Sequence, residues 1–115
     1  MRKLTILLTV LVLTGAVAAL AADEKRKPKG PAVDIKAMKF VPAELTIKPG
    51  QTVTWTNDDD RDHTVTADDN KSFKSGNIKP GDTFEQKFPK PGKYPYACSY
   101  HPRMKAVVIV AADDK

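Results

Sequence analysis

A chain of 115 residues holds one domain at most, which excludes a multidomain enzyme. A formal charge of +5 with only 7% aromatic residues gives little basis for a nucleic-acid partner. The single cysteine excludes a framework of internal disulfides.

In chain order, Arg2 and Lys3 precede an uncharged run from Leu4 to Leu20, and small residues (Ala18, Ala19, Ala21, Ala22) come before charge returns at Asp23. Basic, then apolar, then small is the layout of a secretory signal peptide over residues 1–21, cleaved before Ala22. A run of about 18 apolar residues is just long enough to act as a membrane anchor instead. The Thr and Gly residues within it and its alanine-rich end favour cleavage and release into a periplasm, so no stable membrane insertion of the mature chain is expected. Residues 22–31 hold Lys25, Arg26, Lys27 and Lys29 beside Pro28 and Pro31, a flexible basic linker. An exported chain with one free thiol carries a liability unless something occupies the sulfur, and a metal would.

Residues 32–112 read as one domain of short strands parted by Pro, Gly and Asp. Val33, Ile35 and Ala37 alternate with Asp34 and Lys36, and Leu45 and Ile47 alternate with Thr46 and Lys48. A turn at Lys48-Pro49-Gly50-Gln51 leads to Val53 and Trp55, again at a period of two. His63 to Thr66 is a further β-prone run. Lys79-Pro80-Gly81-Asp82 turns into a strand with Phe84 and Phe88 on one face, and Lys90-Pro91-Gly92-Lys93 into one with Tyr94, Tyr96 and Cys98 on one face. Val107 to Val110 is apolar enough for a central strand, and no helical periodicity follows residue 22. About seven or eight strands at this spacing predict an all-β fold, a small antiparallel β-sandwich.

The chemistry concentrates in Cys98-Ser99-Tyr100-His101-Pro102-Arg103-Met104, where thiolate, imidazole and thioether follow one another at intervals of three residues. The other histidine, His63, stands 35 residues before the cysteine. Two imidazoles, one thiolate and one weak thioether form the donor set of a blue-copper centre, so His63, Cys98, His101 and Met104 are the candidate metal ligands for one copper ion cycling between Cu(I) and Cu(II). Singly, a Cys or Met is ordinary core filler. Jointly, the pattern takes the only Cys and both His of the chain. Zinc is the rival ion, but a structural zinc site rarely stops at three good ligands and a thioether. Asp58, Asp59, Asp60, Asp62, Asp68 and Asp69 flank His63 without the spacing of a calcium loop and read as solvated charge.

On Val53-Thr54-Trp55-Thr56-Asn57, His63-Thr64-Val65, Gly92 to Cys98 and the Cys-x2-His-Pro-x-Met loop, the chain resembles the cupredoxins, most closely the amicyanin and plastocyanin group, from about Asp34 to Val110. The resemblance implies a Greek-key β-sandwich, copper near one end, binding through Nδ1 of each His, and His101 as the electron port. It gives Thr64 the backbone N–H that meets the Cys98 sulfur, in a place where many relatives carry Asn, and it sets Asn57 near the site. Amicyanin rings its exposed His with apolar residues, whereas Arg61-Asp62 and Arg103 stand in the corresponding places here. Tyr100 and Pro102 remain as apolar contacts, and the redox donor and acceptor are expected to dock around His101 in a charged, salt-sensitive encounter with a monomer.

The reading is therefore a periplasmic single-electron carrier. A copper chaperone, store or resistance protein is the alternative, and such proteins often carry extra Met and His, where this chain has only Met1, Met38 and Met104. Copper oxidases need a second, His-rich centre, and both histidines are already committed, so no enzyme activity is expected.

Overall fold

The computed structural model describes residues 30–112, so the expected signal peptide and most of the basic linker lie outside the described residues. Eight strands make two four-stranded sheets: β1 Ala32–Lys36, β2 Lys39–Val41, β3 Glu44–Ile47, β4 Gln51–Asn57, β5 Thr66–Ala67, β6 Thr83–Phe88, β7 Gly92–Ala97 and β8 Lys105–Val110. One sheet runs β2-β1-β4-β6 and the other β3-β8-β7-β5. Among the described residues no helix is long and apolar enough to cross a membrane.

The alternating residues explain the two layers. Val33 and Ile35 on β1, Val53 and Trp55 on β4, and Phe88 on β6 turn inward from one sheet, all at most 2% exposed. Ile47, Tyr96, Val108 and Val110 come from the other. Each such side chain contributes about 1.5–3 kcal/mol on burial. Phe40, Phe73, Phe88 and Tyr96 gather around Trp55 and one another as an aromatic centre. Two turns are set by the same chemistry. Gly50 and Gly81 take φ of 90° and 88°, the left-handed third position after Pro49 and Pro80, and the fourth residue's N–H closes each turn onto Lys48 and Lys79.

The sandwich is the expected one, but its sheets are mixed, since β1 pairs with β4 and β3 with β8 in parallel. Period-two alternation reports which face is buried and carries no information on strand direction. Two local expectations change. Ala37 leaves the β1 face and turns the chain into β2, a strand with no clear alternation of its own in the sequence. His63 and Thr64 precede β5 instead of opening a strand, and His63 pairs with Ile78 in an isolated bridge outside both sheets. His63, Thr64 and Val65 are all buried, because they pass under the Cys98 loop where no outward face exists. Val107 to Val110 does lie in a central strand, β8, between β3 and β7.

Candidate metal centre

Sheet ends bring the candidate donors together. Cys98 follows directly on β7 and Met104 directly precedes β8, so the antiparallel β7–β8 pair closes the loop between them. Three backbone hydrogen bonds tie that loop into a ring. His101 N–H donates to Cys98 O at 3.2 Å, Met104 N–H to His101 O at 2.9 Å, and Cys98 N–H to Met104 O at 3.1 Å. The spacing of three residues is therefore the repeat of the turn itself. His63 is clamped separately, through paired backbone bonds with Ile78 of 3.1 and 2.8 Å.

Cys98 Sγ lies 3.8 Å from His63 Nδ1 and 3.6 Å from His101 Nδ1. All three donor groups lie within 4.8 Å of one another. With bonds of about 2.0–2.3 Å, two donors on one ion stand roughly 3.4–3.8 Å apart, so the cradle fits a single metal ion. Two imidazole nitrogens around one sulfur match a His₂Cys trigonal set, and Met104 is buried at the closing end of the same loop. His63 and Cys98 are 0% and 1% exposed, while His101 is half-buried and reaches the surface.

Thr64 touches the site twice. Its N–H points at Cys98 Sγ over 3.4 Å. Its hydroxyl accepts the N–H of Ser99 at 2.8 Å and lies 2.9 Å from the Ser99 hydroxyl and 3.0 Å from that of Thr66. Asn57 is fully buried and works at one remove. Its amide donates to the carbonyls of Arg61 and Ile78 at 2.8 and 2.9 Å, bracketing His63 on both sides, and its Oδ1 accepts Asp59 N–H.

Asp59 corrects the reading of the acidic stretch as solvated charge. Its side chain is only 11% exposed and its Oδ2 sits 2.8 Å from His63 Nε2. The hydrogen bond from His63 holds its carboxyl at about 2, well below the ordinary 3.8. Nothing in the spacing marks Asp59 among its neighbours, because the loop between β4 and His63 follows no regular period. Met38 is the second residue missed. It is partly exposed and lines, with Tyr100, Pro102 and Arg103, a shallow depression beside His101. Its place there depends on the β1–β2 turn.

A family model of the cupredoxin-like domain matches residues 4–110. The chain belongs to the cupredoxins. This cupredoxin is similar to amicyanin-alpha of Methylorubrum extorquens, at 36% identity over 105 residues and 83% of each chain. Among solved structures it is similar to a purple cupredoxin from Nitrosopumilus maritimus, with a TM-score of 0.68 and 34% identity over 71% of this chain and 100% of that one. It is also similar to a Cu(I) structure of a methionine-to-alanine variant of amicyanin, with a TM-score of 0.65 and 33% identity over 70% of this chain and 81% of the other. The cupredoxin assignment agrees with the cluster of His63, Cys98 and His101.

Proposed function

We propose that this cupredoxin is a periplasmic carrier of single electrons, with one copper ion held by His63, Cys98, His101 and Met104. The observation that carries the reading is the meeting of His63 Nδ1, Cys98 Sγ and His101 Nδ1 within 4.8 Å. Copper supplies a one-electron couple whose reduced state prefers sulfur and whose oxidised state accepts imidazole nitrogen.

The residues supply rigidity. Cys98, His101 and Met104 are bonded to one another through their backbones, and His63 is fixed to Ile78, so the donors keep one arrangement in both oxidation states. Thr64 N–H withdraws charge from the Cys98 sulfur, a lever on the potential. Buried His63, Cys98 and Met104 favour retention of the ion over handing it on, which sets this reading above a chaperone, and the chain holds only Met1 and Met38 beyond the one donor set, few for a store. His101 serves as the port, with Met38, Tyr100 and Pro102 offering apolar contact to a redox donor or acceptor. Both histidines are used in the single centre, which leaves none for the second, His-rich centre that a copper oxidase needs.

The test is a visible spectrum after one equivalent of Cu(II), for the protein and for Cys98→Ala. An intense blue thiolate-to-copper band, lost in the variant and bleached reversibly by a mild reductant, is the expected result. A weak band, or copper bound only as Cu(I), would overturn the carrier reading.

A further inference from the structure

One oxygen of Asp59 joins two distant parts of the molecule. Its Oδ2 lies 2.8 Å from His63 Nε2 and accepts the backbone N–H of Met38 at 3.1 Å. The other oxygen accepts Asp60 N–H at 2.9 Å, and Asp59 N–H is itself bound to Asn57 Oδ1 at 3.0 Å. The carboxylate is thus held from three sides in one orientation.

The Met38 contact is kept in an unfavourable backbone. Ala37 and Met38 take φ of 52° and 60°, the left-handed pair of a two-residue hairpin turn that Asn-Gly normally fills. Neither residue is suited to that conformation. The turn nonetheless directs the Met38 N–H at Asp59.

A carboxylate at neutral pH only accepts hydrogen bonds, so the ring proton of His63 belongs on Nε2. Nδ1 of the neutral ring then presents its lone pair on the side of Cys98 Sγ, 3.8 Å away. We infer that Asp59 is a positioning residue for the metal centre: it fixes the tautomer and orientation of His63 and places a negative charge behind the ligand that favours the oxidised over the reduced ion. The Ala37–Met38 turn is its brace. A carboxylate behind a ligating imidazole raises the basicity of the ring, and its loss typically lowers metal affinity 10–100-fold. The part concerning oxidation state rests on the copper reading above, whereas the part concerning the tautomer does not.

Two variants separate the roles. Asp59→Asn keeps an oxygen able to accept from Nε2 but removes the charge, and Asp59→Ala removes both. In the metal-free protein, ¹⁵N-resolved NMR of the ring nitrogens should find His63 protonated on Nε2 in the parent and in Asp59→Asn, and redistributed toward Nδ1 in Asp59→Ala. In the copper-loaded protein, both variants should favour Cu(I) by about tenfold, a positive potential shift of about 59 mV for one electron. Chelator competition should show weaker Cu(II) binding in Asp59→Ala. A parent His63 protonated on Nδ1, or a tautomer unchanged in Asp59→Ala, would overturn the positioning role. Potentials equal to the parent's in both variants would overturn the electrostatic role, even if their melting temperatures fell. Failure of the copper reading would look different, since the parent would then lack the thiolate band while the NMR experiment still judged Asp59.

Discussion

The hydroxyl of Thr64 lies within hydrogen-bonding distance of both the N–H and the hydroxyl of Ser99, at 2.8 and 2.9 Å, across 35 residues of chain. This contact ties the segment that delivers His63 to the loop that delivers Cys98. A short side chain makes this tie, and Thr66 at 3.0 Å completes the cluster.

Thr64→Val keeps the shape and the N–H aimed at Cys98 but removes the acceptor for Ser99. The loss should be about 1–3 kcal/mol, two hydrogen bonds to Ser99 at about 0.5–1.5 kcal/mol each. Ser99→Ala removes one hydroxyl only and should cost about 0.5–1.5 kcal/mol. Urea unfolding of the metal-free protein checks the order. Equal stability of Thr64→Val and the parent would show that the clasp contributes nothing.

A second polar link crosses the two sheets. Trp55 Nε1 donates to Tyr96 Oη at 3.1 Å, with the residues 0% and 1% exposed, and burial pushes the Tyr96 hydroxyl far above its ordinary range. Tyr96→Phe strands the indole N–H in the core and should lower stability by about 1–3 kcal/mol. The visible spectrum should stay unchanged, because the Tyr96 hydroxyl bonds Trp55 in the core and none of the candidate metal ligands. Denaturant midpoints and the spectrum, taken together, check both halves.

Acid should weaken the protein through Asp69. The Ser72 hydroxyl, then the N–H groups of Ser72 and Lys71, hold its carboxyl at about 2, below the ordinary 3.8. A carboxyl depressed in the folded state stabilises above the unfolded value and loses that contribution as pH falls toward the folded one. The stability difference between the parent and Asp69→Asn should therefore be full above pH ~4 and vanish near pH ~2. Urea midpoints of both proteins across that range test it, and a constant difference would count against the linkage.

The face around His101 should govern encounter. Tyr100 is 51% exposed and its hydroxyl donates to Asn77 Oδ1 at 2.7 Å, which holds the ring beside the port. Tyr100→Lys replaces apolar contact with a charge that two copies would oppose to each other. Electron self-exchange between Cu(I) and Cu(II) forms, read from NMR line widths, should slow about tenfold, equivalent to about 1.4 kcal/mol in the barrier. The absorption band should not move. An unchanged rate would place the contact elsewhere.

Most of this architecture is legible along the chain because its signals are local. Alternation in Val33-Ile35, Val53-Trp55 and Tyr94-Tyr96-Cys98 depends only on a strand's own geometry. The Pro-Gly turns depend on the φ that each residue allows. Cys98, His101 and Met104 stand out for the same reason, since one turn conformation sets their spacing. The order of amino acids therefore suffices for a β-sandwich and a sulfur–nitrogen donor set.

The rest is settled only where distant segments meet. The direction of β1 against β4 leaves no mark on either strand's pattern. Asp59 differs from Asp58, Asp60 and Asp62 only in where the folded loop points its carboxylate, and Met38 reaches the His101 face only through a turn that its residue types disfavour. Hydrogen bonds between side chains brought together by folding depend on relative position in space, and no periodicity along the chain encodes that.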